Sequence, residues 1–144
     1  MEALVQKGLR NQSTDYEAAY TLDKEKREFQ RDIGWFGKYC FPTALAKDTP
    51  SFHRDIYKNL KNDETKRVLI AAPRGTAKST VCSLIFPLYK IAYKKPNEDL
   101  FIVVVSESQA QSVNFLSRIK YHLEHSDNFK HIFGDFSSKT ARRW

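Results

Sequence analysis

The chain has 144 residues, enough for one ordinary domain, and its 41% apolar and 13% aromatic residues can build a core. A 28% share of charged residues with a net charge of +7 belongs to a folded, basic protein and excludes a low-hydrophobicity disordered tract. No stretch reaches the roughly 18 apolar residues of a membrane span, and residues 1–17 lack an apolar h-region, so they are not expected to be a secretory signal.

In chain order, Tyr16, Ala19, Tyr20, Phe29, Ile33 and Phe36 recur at helical spacing among charges, predicting helix over residues 14–40. A connector with Pro42 and Pro50 follows. Residues 1–50 are therefore expected to form an N-terminal helical segment with its connector, and 51–144 the start of a second unit. Phe52, Ile56, Tyr57 and Leu60 share one face of a short helix, with Ser51 as its expected cap. Lys66 to Ala71 is an apolar run that suits a buried parallel strand. Val81, Leu84, Ile85, Leu88 and Ile91 then follow the i, i+3, i+4, i+7 pattern of a helix, which Pro87 should bend. Lys94 to Asp99 reads as a turn and Leu100 to Val105 as a second buried strand. Gln109 to Leu123 reads as a helix with Ala110, Val113, Leu116, Ile119 and Leu123 inward. Helices followed by strand–helix–strand–helix predict an α/β fold. The expectation is a P-loop NTPase (ASCE/RecA-like) parallel sheet flanked by helices, incomplete, behind an N-terminal helical segment.

The chemistry concentrates in Ala72-Pro73-Arg74-Gly75-Thr76-Ala77-Lys78-Ser79-Thr80. A phosphate-binding loop (Walker A) has the pattern G-x-x-x-x-G-K-[ST] between a strand and a helix. Lys78 and Ser79 stand in place, while Ala72 and Ala77 replace the two framing glycines. Glycine lets backbone N–H groups converge on phosphate oxygens; alanine adds one methyl, and Gly75 remains as the natural place for a positive φ. Free N–H groups at the start of the Lys78 helix favour an anion. Lys78 would reach the β- and γ-phosphates of ATP, and the Ser79 hydroxyl would ligate Mg²⁺, with Thr80 beside it in a structural role. Arg74 is either an arginine finger supplied in cis or a surface arginine paired with a carboxylate.

The run from Arg67 to Lys120 resembles the ATPase core of phage terminase large subunits. The A-P-R-G-x-x-K-S loop, the xPLYxI helix and the S-x-S-Q-A-Q turn carry the likeness, and Phe52-His53-Arg54-Asp55-Ile56-Tyr57 is similar to the segment that precedes them. The resemblance covers about residues 50–144 and implies a packaging ATPase that drives double-stranded DNA through a portal into a procapsid. It further implies a portal protein and a small terminase subunit as partners, a homo-oligomeric ring, and work in the host cytoplasm. By position it gives Arg74 and Lys78 catalytic roles and Ser79 the metal. It places Phe52 and His53 in an adenine-contacting segment, where His53 departs from the usual glutamine and could instead cap or pack. Ser106 to Gln111 corresponds to a DNA-facing segment, or supplies an ordinary N-cap through Ser106 or Ser108.

Hydrolysis also needs an apolar strand that ends in Asp-Asp or Asp-Glu (Walker B). Neither Ala71-Ala72 nor Val105-Ser106 carries one, and Asp135 reads as a turn residue. The chain is therefore expected to be the front part of a motor, inactive alone. A helicase-like ATPase and a non-catalytic nucleotide- or DNA-binding fragment are the alternatives. Cys40 and Cys82 lack metal or redox spacing and are expected to be inert thiols. His122, His125 and His131 are expected to be solvated, with no third ligand for zinc.

Overall fold

A computed structural model describes residues 18–46, 49–62, 64 and 67–136. Tyr16, Lys66 and the segment from Thr140 to Trp144 lie outside the described residues. The architecture is helical: α1 (18–31), α2 (Ile33–Cys40), α3 (Ser51–Lys61), α4 (Lys78–Thr80), a π turn (Val81–Ile85), α5 (Phe86–Ala92), α6 (Gln109–His125) and α7 (Asp127–Phe133).

The expected N-terminal helix is broken once. Asp32 leaves the helical region (φ −129°, ψ 103°), and its Oδ1 accepts the N–H groups of Gly34 at 2.8 Å and Trp35 at 3.1 Å. An aspartate whose side chain satisfies the first free N–H groups restarts a helix, here α2. The cap expected from Ser51 is not used: Ser51 lies inside the first turn of α3. Pro50 occupies the cap position instead, its carbonyl accepting His53 N–H at 3.1 Å.

The core is aromatic. Phe36 is fully buried and meets Phe41, Tyr89, Phe129 and Phe133 at ring-centroid distances of 5.6–6.3 Å, mostly edge to face. The buried set draws on both sides of residue 50, with Phe29, Ile33 and Cys40 against Leu84, Ile85, Leu88 and Ile132. Two tyrosines tie α1 to the helix after the loop: Tyr89 Oη donates to the Gln30 carbonyl at 2.8 Å, and Tyr93 Oη to the Lys26 carbonyl at 2.6 Å. Gly37 is the close-approach point, since a Cβ there would stand 2.7 Å from Leu45 Cδ1 and 3.0 Å from Ile85 Cγ2. Burial pushes the Cys40 thiol up to about 12 and raises that of the half-buried Cys82, which leaves both protonated and poorly nucleophilic.

The parallel sheet is not there. Among the described residues no strand is formed, and neither apolar run, described from Arg67 in the first, has regular secondary structure or a ladder of backbone hydrogen bonds. The α/β expectation is therefore corrected to a helical fold carrying two apolar segments without strand partners. An apolar run favours extended backbone, but a sheet exists only where a second backbone lies alongside. The burial pattern shows the consequence. Leu100 and Val104 are half-buried, while Phe101 is 88% and Val105 85% exposed. That two-residue alternation lays one face against the helices and turns the other to water. Ile70 packs on the core while Leu69 is 96% exposed. The inward face expected for α6 is corrected for the same reason: Ile119 is buried, but Ala110, Val113 and Leu116 are exposed, because helices cover only its second half.

A substitution separates the two folds. Val103→Lys should change stability by no more than about 0.5 kcal/mol, because this side chain is 64% exposed. A lysine in a doubly covered strand would cost several times that. An unchanged thermal midpoint with better solubility is the expected result, and a collapsed transition would restore the buried strand.

Candidate phosphate-binding loop

The segment between the first apolar run and α4 is knitted to itself. Thr76 Oγ1 donates to the Pro73 carbonyl at 2.7 Å. Lys78 Nζ donates to the Ala72 carbonyl at 2.8 Å and to the Pro73 carbonyl at 3.1 Å. The loop thus closes around the lysine stem. Two of the three ammonium protons are used, and one remains for a ligand.

Two residues take positive φ. Gly75 has φ 82°, as its place in the loop anticipates, with nothing within 4 Å of a Cβ built there. Ala77 has φ 55° and ψ 18°, the left-handed region, at the position where the usual motif has its second glycine. The turn is kept although the glycine is not, at a cost of roughly 1–2 kcal/mol for a residue with a Cβ. Ala77→Gly should therefore raise stability by about 1 kcal/mol. The expected reading is a higher denaturant midpoint at unchanged slope; a lower midpoint would contradict the left-handed assignment.

From Ala77 the chain enters a helical run without a side-chain cap, and the first intrahelical bond is Val81 N–H to the Ala77 carbonyl at 2.9 Å. The backbone N–H groups of Lys78, Ser79 and Thr80 precede that bond and are left for a ligand or water. Ser79 is exposed beside them, and Lys78 and Thr80 are half-buried. The bend expected at Pro87 appears just upstream as the π turn Val81–Ile85, closed by Phe86 N–H on the Val81 carbonyl. Proline lacks the N–H that the preceding turn would use, and a widened turn absorbs the mismatch.

His53 is placed on the loop. Its imidazole is 4% exposed, packs edge-on against Phe52 at 4.6 Å, and its Nε2–H donates to the Thr76 carbonyl at 2.7 Å. α3 therefore holds the loop from below through one buried hydrogen bond. A cavity of about 330 Å³ opens beside this contact, walled by Leu45, Thr49, Pro50 and His53 on one side and Gly75 to Ala77 on the other. The connector's share of this wall was invisible in the sequence, where its two prolines signalled only a loop.

Arg74 is exposed at the loop's tip and makes no side-chain hydrogen bond or ion pair with another described residue. The pairing with a carboxylate considered for it is not formed. Ser106 to Gln111 is folded as a cap: Ser108 Oγ accepts Gln111 N–H at 3.3 Å, and the Ser106 and Ser112 hydroxyls lie 3.0 Å apart. The histidines at the other end of α6 are packed rather than simply solvated. His122 sits edge-on to Phe41 at 5.1 Å, with its pKa lowered by burial and then by Arg118, and His125 stacks on Tyr121 at 4.6 Å.

Among the described residues no trio of His, Cys, Asp or Glu is grouped to hold a metal ion. A magnesium ion here would have Ser79 as its protein ligand, which suits an ion that arrives with a nucleotide's phosphates and keeps most of its waters. No described helix is long and apolar enough to cross a membrane. In comparisons with known proteins, no family model matches the chain, and neither a curated protein nor a solved structure proves similar to it.

Proposed function

We propose that this chain is a nucleotide-binding protein in which Ala72 to Thr80 cradle the phosphates of ATP. More particularly, we read it as the ATP-binding part of a viral terminase large subunit, the motor that moves double-stranded DNA into a procapsid. The observation that carries the first statement is the loop itself. A positive φ at Gly75 and at Ala77, a lysine folded inside the loop, and N–H groups freed at the start of a helical run occur in one nine-residue stretch. That local geometry favours an anion, because backbone donors converge there with the positive helix end. It is independent of whether the preceding run has a strand partner.

In this reading Lys78, held on the loop carbonyls, would give its remaining proton to phosphate, and Ser79 would hold a magnesium ion that neutralises phosphate charge when bound. His53 holds the loop in place through Thr76. Arg74, exposed at the tip, would supply a guanidinium to stabilise charge that develops on the γ-phosphate during transfer. The second statement rests on the sequence resemblance alone. Portal protein, small terminase subunit and ring assembly are its corollaries. The test of the nucleotide reading is a titration with a fluorescent ATP analogue and magnesium. Saturable binding, competed by ATP and by pyrophosphate, is expected; absence of saturable binding up to millimolar nucleotide would remove the proposal.

A further inference from the structure

The strongest charge feature outside the loop lies on α3. Arg54, Lys58 and Lys61 are spaced i, i+4, i+7, and all three are exposed. That spacing puts them in one row down the helix, spanning about 10 Å of axis, comparable to the rise of about three base pairs. The row borders a cavity of about 650 Å³ whose far wall includes Arg31, and Lys61 Nζ ties the two sides by donating to the Arg31 carbonyl at 2.9 Å. Four cationic side chains thus line one hollow. It shares no lining residue with the cavity beside the loop.

The opposing charge is small and already engaged. Asp32 is the one carboxylate on the wall, and its Oδ1 accepts two backbone N–H groups as the cap of α2. Neither Arg54 nor Lys58 has an ion-pair or side-chain hydrogen-bond partner among the described residues. Tyr57 lines the same hollow at 6% exposure, with its hydroxyl turned into the interior and fully buried. Trp35, 51% exposed, stands on an adjoining hollow that shares Asp32, Arg54 and Tyr57. A row of cations without ion pairs, facing Arg31 across the hollow and with an indole beside it, forms a surface complementary to a polyanion.

We infer that the Arg54–Lys58–Lys61 face of α3, with Arg31 across the hollow, binds the phosphodiester backbone of nucleic acid. This inference does not rest on the nucleotide reading of the loop, which lies elsewhere. Contacts of this kind set affinity and register without reading sequence, and they announce themselves through salt dependence.

The experiment is fluorescence anisotropy with a labelled 20-base-pair duplex of mixed sequence, without nucleotide, at several salt concentrations. The chain is compared with Arg54→Gln/Lys58→Gln and with Lys58→Gln alone. Each lost phosphate contact should flatten the plot of log affinity against log salt by about 0.9, so the double variant should lose about 1.8 and the single variant about half of that. Both replaced side chains are exposed, so melting should match that of the parent chain, and the single variant keeps the test standing if the double one melts early. Lys120→Gln, an exposed lysine of α6 that lines neither hollow, measured alongside, should bind duplex as the parent does. Unchanged slope and affinity in the variants, or no duplex binding by the parent chain at low salt, would overturn the inference.

Discussion

Lys78→Ala is expected to weaken binding of ATP with magnesium by about 10- to 100-fold, the loss that follows from removing one charge-assisted hydrogen bond. The variant loses twice. It forfeits the ammonium proton left for phosphate, and it releases the Ala72 and Pro73 carbonyls that the same group holds at 2.8 Å and 3.1 Å. The measurement is a titration with a fluorescent ATP analogue, with Lys94→Ala as the companion, since Lys94 is an exposed lysine beyond the end of α5. Lys94→Ala should bind as the parent does. Equal affinity in the Lys78 variant and the parent would separate this lysine from phosphate and return it to a loop-closing role.

Phe36→Ala carries the largest expected effect on stability. Phe36 has no exposed surface and touches rings from α5, α7 and the connector. Emptying such a site costs about 3–5 kcal/mol, against total stabilities of about 5–15 kcal/mol. The thermal midpoint should fall by about 10 °C or more, and near-ultraviolet circular dichroism should lose the signal of the packed rings. A shift of only a few degrees would mean that the aromatic cluster is not the centre of the fold.

Periodicity made the helices legible where one face packs on other helices. The spacing of Phe29, Ile33 and Phe36 located the N-terminal helices, and Val81 to Ile91 located the run after the loop, with its irregularity placed at Pro87. The helix α7 went unread although Ser126 caps it, Phe129 and Ile132 are buried at i, i+3, and Gly134 ends it at φ 88°. The signal was present but short, and neighbouring residues outside the apolar face diluted it. The sheet failed for a different reason. Leu100 to Val105 is as apolar as a doubly covered strand, yet composition is a property of one segment and pairing is a property of two. The loop's backbone was legible at Gly75, whose positive φ depends on local chain alone. That His53 would pack was one of two readings, but its partner was not legible, since a hydrogen bond from α3 to Thr76 crosses 23 residues of chain.

The central claim, that Ala72 to Thr80 receive the phosphates of a nucleotide, is tested most directly residue by residue. The backbone amides of the ¹⁵N-labelled chain would be followed by NMR during titration with a non-hydrolysable ATP analogue and magnesium. The largest changes should fall on Gly75, Thr76, Lys78 and Ser79, with the His53 ring responding through the Thr76 carbonyl. Loop amides that stay still at saturating nucleotide, or changes confined to the hollow between Arg31 and Lys61, would contradict it.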